Sequence, residues 1–109
     1  MRSNRVRIKE NSFIARMAAT RLGTERVAIV IGNTIHLYHT TRAEFLKNQS
    51  WVLHELKHVE QYHSKGMVCF FWQYLIESLR NGYHNNAFEK EARNAENDLE
   101  LLNKYILTP

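Results

Sequence analysis

At 109 residues, with 44% hydrophobic and 24% charged residues, the chain has the size and balance of one folded domain, and neither disorder nor a two-domain architecture fits it. The net charge of +4 comes from basic residues spread along the chain, with an excess at Arg2, Arg5, Arg7 and Lys9; that is the pattern of a solvated surface and argues against a nucleic-acid partner. A single cysteine, Cys69, precludes an intrachain disulfide and points to a reducing cytoplasm; no apolar run of signal-peptide length follows the basic N-terminus, and the most apolar stretch, Met67 to Ile76, is about half the length that spans a bilayer.

In chain order, Phe13, Ile14, Met17, Ala18 and Leu22 recur at helical spacing and predict a first helix that stops at Gly23. The period then changes. Val27–Ile31 and Thr34–Tyr38 are β-rich runs joined by Gly32-Asn33, a two-residue hairpin signal. A short helix or turn over Thr41–Leu46 follows, then a polar break at Asn48-Gln49-Ser50, where Asn48 or Ser50 can cap a helix running from about Trp51 to Ser64. Lys65-Gly66 ends it. A third helix from Met67 to Asn81 carries the cluster Phe70, Phe71, Trp72, Tyr74 and Leu75, which reads as core, with an aromatic partner-binding face as the alternative, and Gly82 closes it. The last helix, from about Ala87 to Tyr105, places Phe88, Ala92, Ala95, Leu99, Leu102 and Ile106 on one side. The order α-β-β-α-α-α predicts a single α+β domain with a small antiparallel sheet packed on the helix that begins at Trp51; with Pro109 the only proline, it should be compact.

That helix contains His54-Glu55-Leu56-Lys57-His58. Four residues at about 100° each leave the two imidazoles roughly 40° apart, close enough to reach one ion. Glu55 sits on the neighbouring edge. There its carboxylate can take a proton from a zinc-activated water while coordinating nothing itself, which is why the pattern needs Glu directly after the first His. Val52, Leu56 and Val59 make an apolar face, Lys57, Glu60 and Gln61 a third side able to face water, and Trp51 and Tyr62 flank the histidines.

Zinc needs a third protein ligand, and His63, His84, Glu89, Glu91 and Glu96 are the downstream candidates. Glu89 has a rival role: with Asn86 as N-cap it falls at the third helical position, where a capping-box glutamate sits. The segments HELKHVEQY and GYHNNAFEKEAR resemble the gluzincin-type zinc metallopeptidases, closest to a minimal bacterial domain reading His-Glu-Leu-x-His-Val-x-Gln, over roughly Asn11 to Glu96. The resemblance implies a zincin-like fold, hydrolysis of a peptide or protein substrate, and Zn2+ held by His54, His58 and Glu89, with Glu91 in reserve. It also implies an edge strand as substrate rail, for which Thr34–Tyr38 is the candidate, and an oxyanion donor, for which Tyr83 and His84 are available. The sequence departs from the pattern at Arg93, where such proteins carry an acid that orients a ligand histidine; the partner of that histidine is thereby left open. His36 and His39 read as structural histidines.

Overall fold

The computed structural model describes residues 4–108, so Arg2 and Pro109 lie outside the described residues. The fold is α+β, with six helices and a four-stranded sheet among those residues. It opens with β1 (Arg5–Lys9), which sequence patterning missed: its basic residues alternate with buried Val6 and Ile8, the period-two signature of a strand with one face covered. Helix α1 (Phe13–Leu22) follows, capped by the Ser12 hydroxyl, which accepts from the Ala15 amide at 3.3 Å. Strands β2 (Val27–Ile31) and β3 (Thr34–Tyr38) form the expected hairpin. Its turn has a positive φ at Gly32 (61°) and not at Asn33, the pattern of a type II′ turn.

The sheet order is β2-β3-β1-β4, with β4 (Ile106–Thr108) returning from the end of the chain. Only β2–β3 is antiparallel; β1 runs parallel to both β3 and β4. The sheet is therefore mixed. One consequence corrects the expected substrate rail: β3 is paired on both sides and has no free edge, and the edge strand beside it is β2.

Helices cover both faces. On one, α1 sets Ala15 and Ala19 against Val27, so the side turned to the sheet is the small one, which allows close approach. The bulky stripe of Phe13, Ile14, Met17 and Leu22, whose spacing predicts the helix, is exposed. On the other face, α2 (Arg42–Lys47), closed by a capping box between Thr41 and Glu44, contributes Phe45. Helix α3 (Gln49–Lys65), capped by Asn48, buries Val52, Leu53, Leu56 and Val59 against Val6, Ile8, Val30, Ile35 and Leu37. This is the main core, and it fixes α3 rigidly beneath the sheet.

Helix α4 (Met67–Asn85) breaks at Gly82, whose φ of 81° and ψ of 164° are open essentially to glycine alone. Only Phe70 of this helix is fully buried. Tyr74 is half-buried, while Phe71, Trp72 and Leu75 point outward, so the aromatic cluster is split between core and surface. The long last helix is also divided: α5 (Ala87–Asn94), a 3-10 turn (Ala95–Asn97) and α6 (Leu101–Lys104). Phe88, Ala92 and Ala95 pack inward as expected, but the turn rotates the chain so that Leu101 takes the core position and Leu99, Leu102 and Ile106 are left exposed. No helix is long and apolar enough to cross a membrane.

Candidate metal centre

Helices α3 and α5 pack against each other, and the contact brings His54, His58 and Glu89 together, with one ligand atom from each within 4.8 Å of the others. The Glu89 Oε1 lies 3.0 Å from the Nε2 of His54 and 3.2 Å from the Nε2 of His58. Two ligands about 2.1 Å from a tetrahedral zinc stand roughly 3.4 Å apart, so these spacings fit a shared ion to within a few tenths of an ångström. The donor set, two imidazoles and one carboxylate, suits zinc, although the geometry alone shows a place for a metal ion rather than which metal.

Glu89 does occupy the third position of α5, but it does not cap. The Asn86 side chain accepts from the Phe88 amide, and the Asn86 amide donates to the Tyr83 carbonyl. The Glu89 carboxylate, 3% exposed, turns inward instead. Its other oxygen accepts from the Tyr74 hydroxyl and also lies 3.2 Å from the Nε2 of His58; Oε1 is the oxygen that faces both imidazoles. Burial would raise the Glu89 carboxyl, but hydrogen bonds from His54, His58 and Tyr74 win and hold it far below the usual carboxylate range. Tyr74, which reads as core in the sequence because it lies within an aromatic run, has a site role whose only signal is a spacing that turns it from Trp72 towards Phe70.

The outer nitrogens decide the tautomers. His54 Nδ1 lies 2.9 Å from Glu96 Oε2, and His58 Nδ1 lies 2.8 Å from Gln61 Oε1. The Gln61 amide nitrogen donates to the Phe88 carbonyl at 3.1 Å and to Glu91 Oε1 at 2.8 Å, both pure acceptors, so its oxygen must face His58. Each imidazole thus keeps its Nδ1 proton, and each Nε2 is the atom turned to Glu89 and free to ligate a metal. Glu96 takes the orienting task that Arg93 cannot perform. Glu91 is exposed and steadies Gln61, not the ion, and Gln61 is 3% exposed, not on a water-facing side.

In the metal-free chain the same contacts hold protons. Burial lowers His54, but hydrogen bonding to Glu89 and the charges around it outweigh this and carry it up to about 9. His58 moves in the same direction for the same reasons. Glu55, 5% exposed, is pushed up to about 7 by burial, against the opposing pull of the two histidines. A carboxyl there can both accept and return a proton near neutrality.

A cleft of about 600 Å³ opens beside this group on its His54 side, and His54, Glu55, Trp51, Glu96, Val27, Ala28 and Tyr83 are among its lining residues. Tyr83 stands at the mouth, half-exposed; partial burial and the carboxylates Glu89 and Glu55 raise its phenol. The Arg93 guanidinium donates to the His84 carbonyl at 2.6 Å and so tethers the segment that carries Tyr83. The His84 side chain is exposed and is not part of the cleft lining. Tyr62, expected beside the histidines, packs on Phe70 in the core. His63 contacts Asn33 and the Tyr105 ring, and buried His36 is bonded to Ser12 at 2.8 Å, a structural histidine as expected; His39 is exposed, at a positive φ of 61°.

The family model of the eCIS core domain matches residues 2–66, more than half of the chain. The chain belongs to the eCIS core domain family. The matched part runs through β1 to the end of α3 and includes His54, Glu55, His58 and Gln61. Glu89, Tyr74, Tyr83 and Glu96 of this eCIS core domain lie beyond it. No curated protein and no solved structure matches the chain.

Proposed function

We propose that this eCIS core domain is a zinc-dependent metallopeptidase of gluzincin type, with His54, His58 and Glu89 as ligands and Glu55 as general base. The observation that carries the reading is the convergence of Glu89 Oε1 on both Nε2 atoms beside the buried Glu55, with His54 and Glu55 lining an open cleft. Zinc bound there would supply Lewis-acid polarisation of a carbonyl and a more acidic water.

The chain's own residues do the rest. Glu55 accepts a proton from the attacking water on its carboxylate and returns it to the leaving amine. Glu96 and Gln61 keep the imidazoles in the tautomer that offers Nε2, and Tyr74 holds Glu89 by one oxygen. Tyr83, which lines the cleft, is the candidate hydrogen-bond donor to the developing oxyanion of the scissile carbonyl and keeps its proton, and Arg93 holds that segment down. The edge strand β2, whose Val27 and Ala28 line the cleft, takes the part of substrate rail for an extended peptide.

A second reading is favoured by one observation: α5 reaches α3 through Glu89, so the ion would also clip the last third of the chain to the core without any catalysis. Glu55→Gln separates the two. On the enzymatic reading the variant keeps its zinc and loses cleavage of an unstructured protein such as casein by 100-fold or more, within the general range for a lost acid–base group. Equal cleavage by wild type and variant removes Glu55 as the base; zinc uptake without cleavage by either leaves the structural role.

A further inference from the structure

The outer face of α4 is the largest feature that this chemistry leaves unused. Val68, Phe71, Trp72, Leu75, Ile76 and Leu79 are exposed at 37–78%. At about 100° per residue they fall within an arc of roughly 140°, opposite the inward-facing Phe70, Tyr74 and Glu77. Taking ~180 Å² for a large apolar side chain, the exposed part of the six amounts to on the order of 600 Å². Surfaces of this kind on a lone monomer rarely exceed a few hundred Å².

The inner side of the same helix builds the metal centre. Tyr74 holds Glu89, the Asn86 amide nitrogen donates to the Ser78 hydroxyl at 2.8 Å, and Glu77 accepts from the Ala87 amide at 3.1 Å. With one fully buried residue in nineteen, α4 owes little of its placement to the core, and a single helix of this length is marginal by itself. Covering its outer face would secure both the helix and the ligand that it positions.

We infer that a second copy of the chain covers it, with α4 packed antiparallel on its twin about a two-fold axis passing near Gln73 and Tyr74. A standard interface buries about 800 Å² per partner, somewhat more than half of it apolar, and one stripe supplies that amount. The order of residues is self-complementary as well. Both aromatic rings of the stripe, with Val68, lie in its first half and branched aliphatics make up the second, so the antiparallel arrangement sets Phe71 against Ile76, Trp72 against Leu75 and Val68 against Leu79. Arg80 falls opposite Met67, and no like charges meet. Gln73 and Cys69, joined at 3.1 Å, form a polar rim. The inference stands independently of the proposed peptidase activity.

Sedimentation equilibrium on the full chain tests it, with an expected mass of twice 12.9 kDa. Trp72→Glu should raise the dissociation constant about 30-fold or more, as for an interface hot spot, with circular dichroism unchanged because the residue is exposed. Val68→Lys and Leu79→Glu should each weaken the dimer, and together they should restore it by meeting across the axis. A wild-type chain that stays monomeric at ~100 μM overturns the inference. So does a dimer indifferent to Trp72→Glu, and so does a monomer that instead partitions onto phosphatidylcholine vesicles.

Discussion

Replacing Gln61 by alanine isolates the smallest part of the proposed centre whose effect can be worked out from the structure. The side chain is buried, its oxygen lies 2.8 Å from His58 Nδ1, and its nitrogen is fixed by two acceptors at 2.8 and 3.1 Å. Removing it leaves the His58 ring free to rotate and to carry its proton on Nε2, the nitrogen a metal needs. Loss of such an orienting contact typically weakens metal binding 10- to 100-fold, about 1.4–2.7 kcal/mol. A separate cost falls on the metal-free fold: the Phe88 carbonyl, inside α5, loses its side-chain donor, worth about 0.5–1.5 kcal/mol, whereas exposed Glu91 turns to water at little cost.

The two effects are measured apart. Competition with a chromophoric chelator gives the zinc affinity, and thermal unfolding in excess EDTA gives the stability of the metal-free chain. Gln61→Glu is the control, because it keeps an acceptor against His58 but sets a carboxylate against Glu91; it should lose stability and hold zinc at least as well as Gln61→Ala. If a folded Gln61→Ala binds zinc within about twofold of wild type, the tautomer argument is wrong, and the hydrogen bond to His58 is packing only.

Two further predictions concern protons and the helix break. His54 at about 9 in the metal-free chain stands above its usual 6.5, so its pairing stabilises the fold fully below pH 6.5 and is lost as pH rises through 9. The melting temperature of the metal-free protein should fall across that window, and zinc binding at pH 7.5 should release one to two protons, read from the dependence of calorimetric enthalpy on the buffer's ionisation heat; no release would place the protons elsewhere. Gly82→Ala meets no atom within 4 Å of the new Cβ, so any cost is purely backbone strain, about 1–3 kcal/mol, visible as a lower unfolding midpoint in urea. An unchanged midpoint would mean that the break is not held at that φ.

Much of the metal centre was legible because its parts obey local rules. A helix fixes the angle between His54 and His58 from spacing alone, and a glutamate early in a later helix was a candidate that the resemblance singled out. What escaped was set by packing between elements. Glu96 reaches His54 only because a 3-10 turn interrupts the last helix, and no propensity distinguishes Ala95–Asn97 from the residues before it. Gln61 looks like a surface residue until α5 lies across it. The strand β1 was hidden by its charges, since Val6 and Ile8 are the only buried pair in five residues, too short an alternation to stand out. Helix α1 misled in the opposite sense: its bulky stripe is the better hydrophobic pattern, yet the smaller alanines face the sheet, because the Ser12 cap and the contact with Val27 set its rotation.

These pieces divide the molecule into two parts of unequal firmness. The segment from β1 to α3 contains the sheet and most of the buried side chains, and it holds the two histidines and Glu55 in place with or without a metal. The segment from α4 to α5 contributes Glu89, Tyr74 and Tyr83 but rests on Phe70, Phe88, a few hydrogen bonds and the centre itself. A chain of this size has little core to spare for so long an appendage. Two additions would hold it: a metal joining Glu89 to the histidines from inside, and a second α4 covering the apolar stripe from outside. Both act on the same helix pair, so each should strengthen the other. Zinc should tighten self-association, and Trp72→Glu should weaken zinc binding although residue 72 touches no ligand. Equal zinc affinity in the monomeric variant and the wild-type dimer would show that the two halves of α4 act independently.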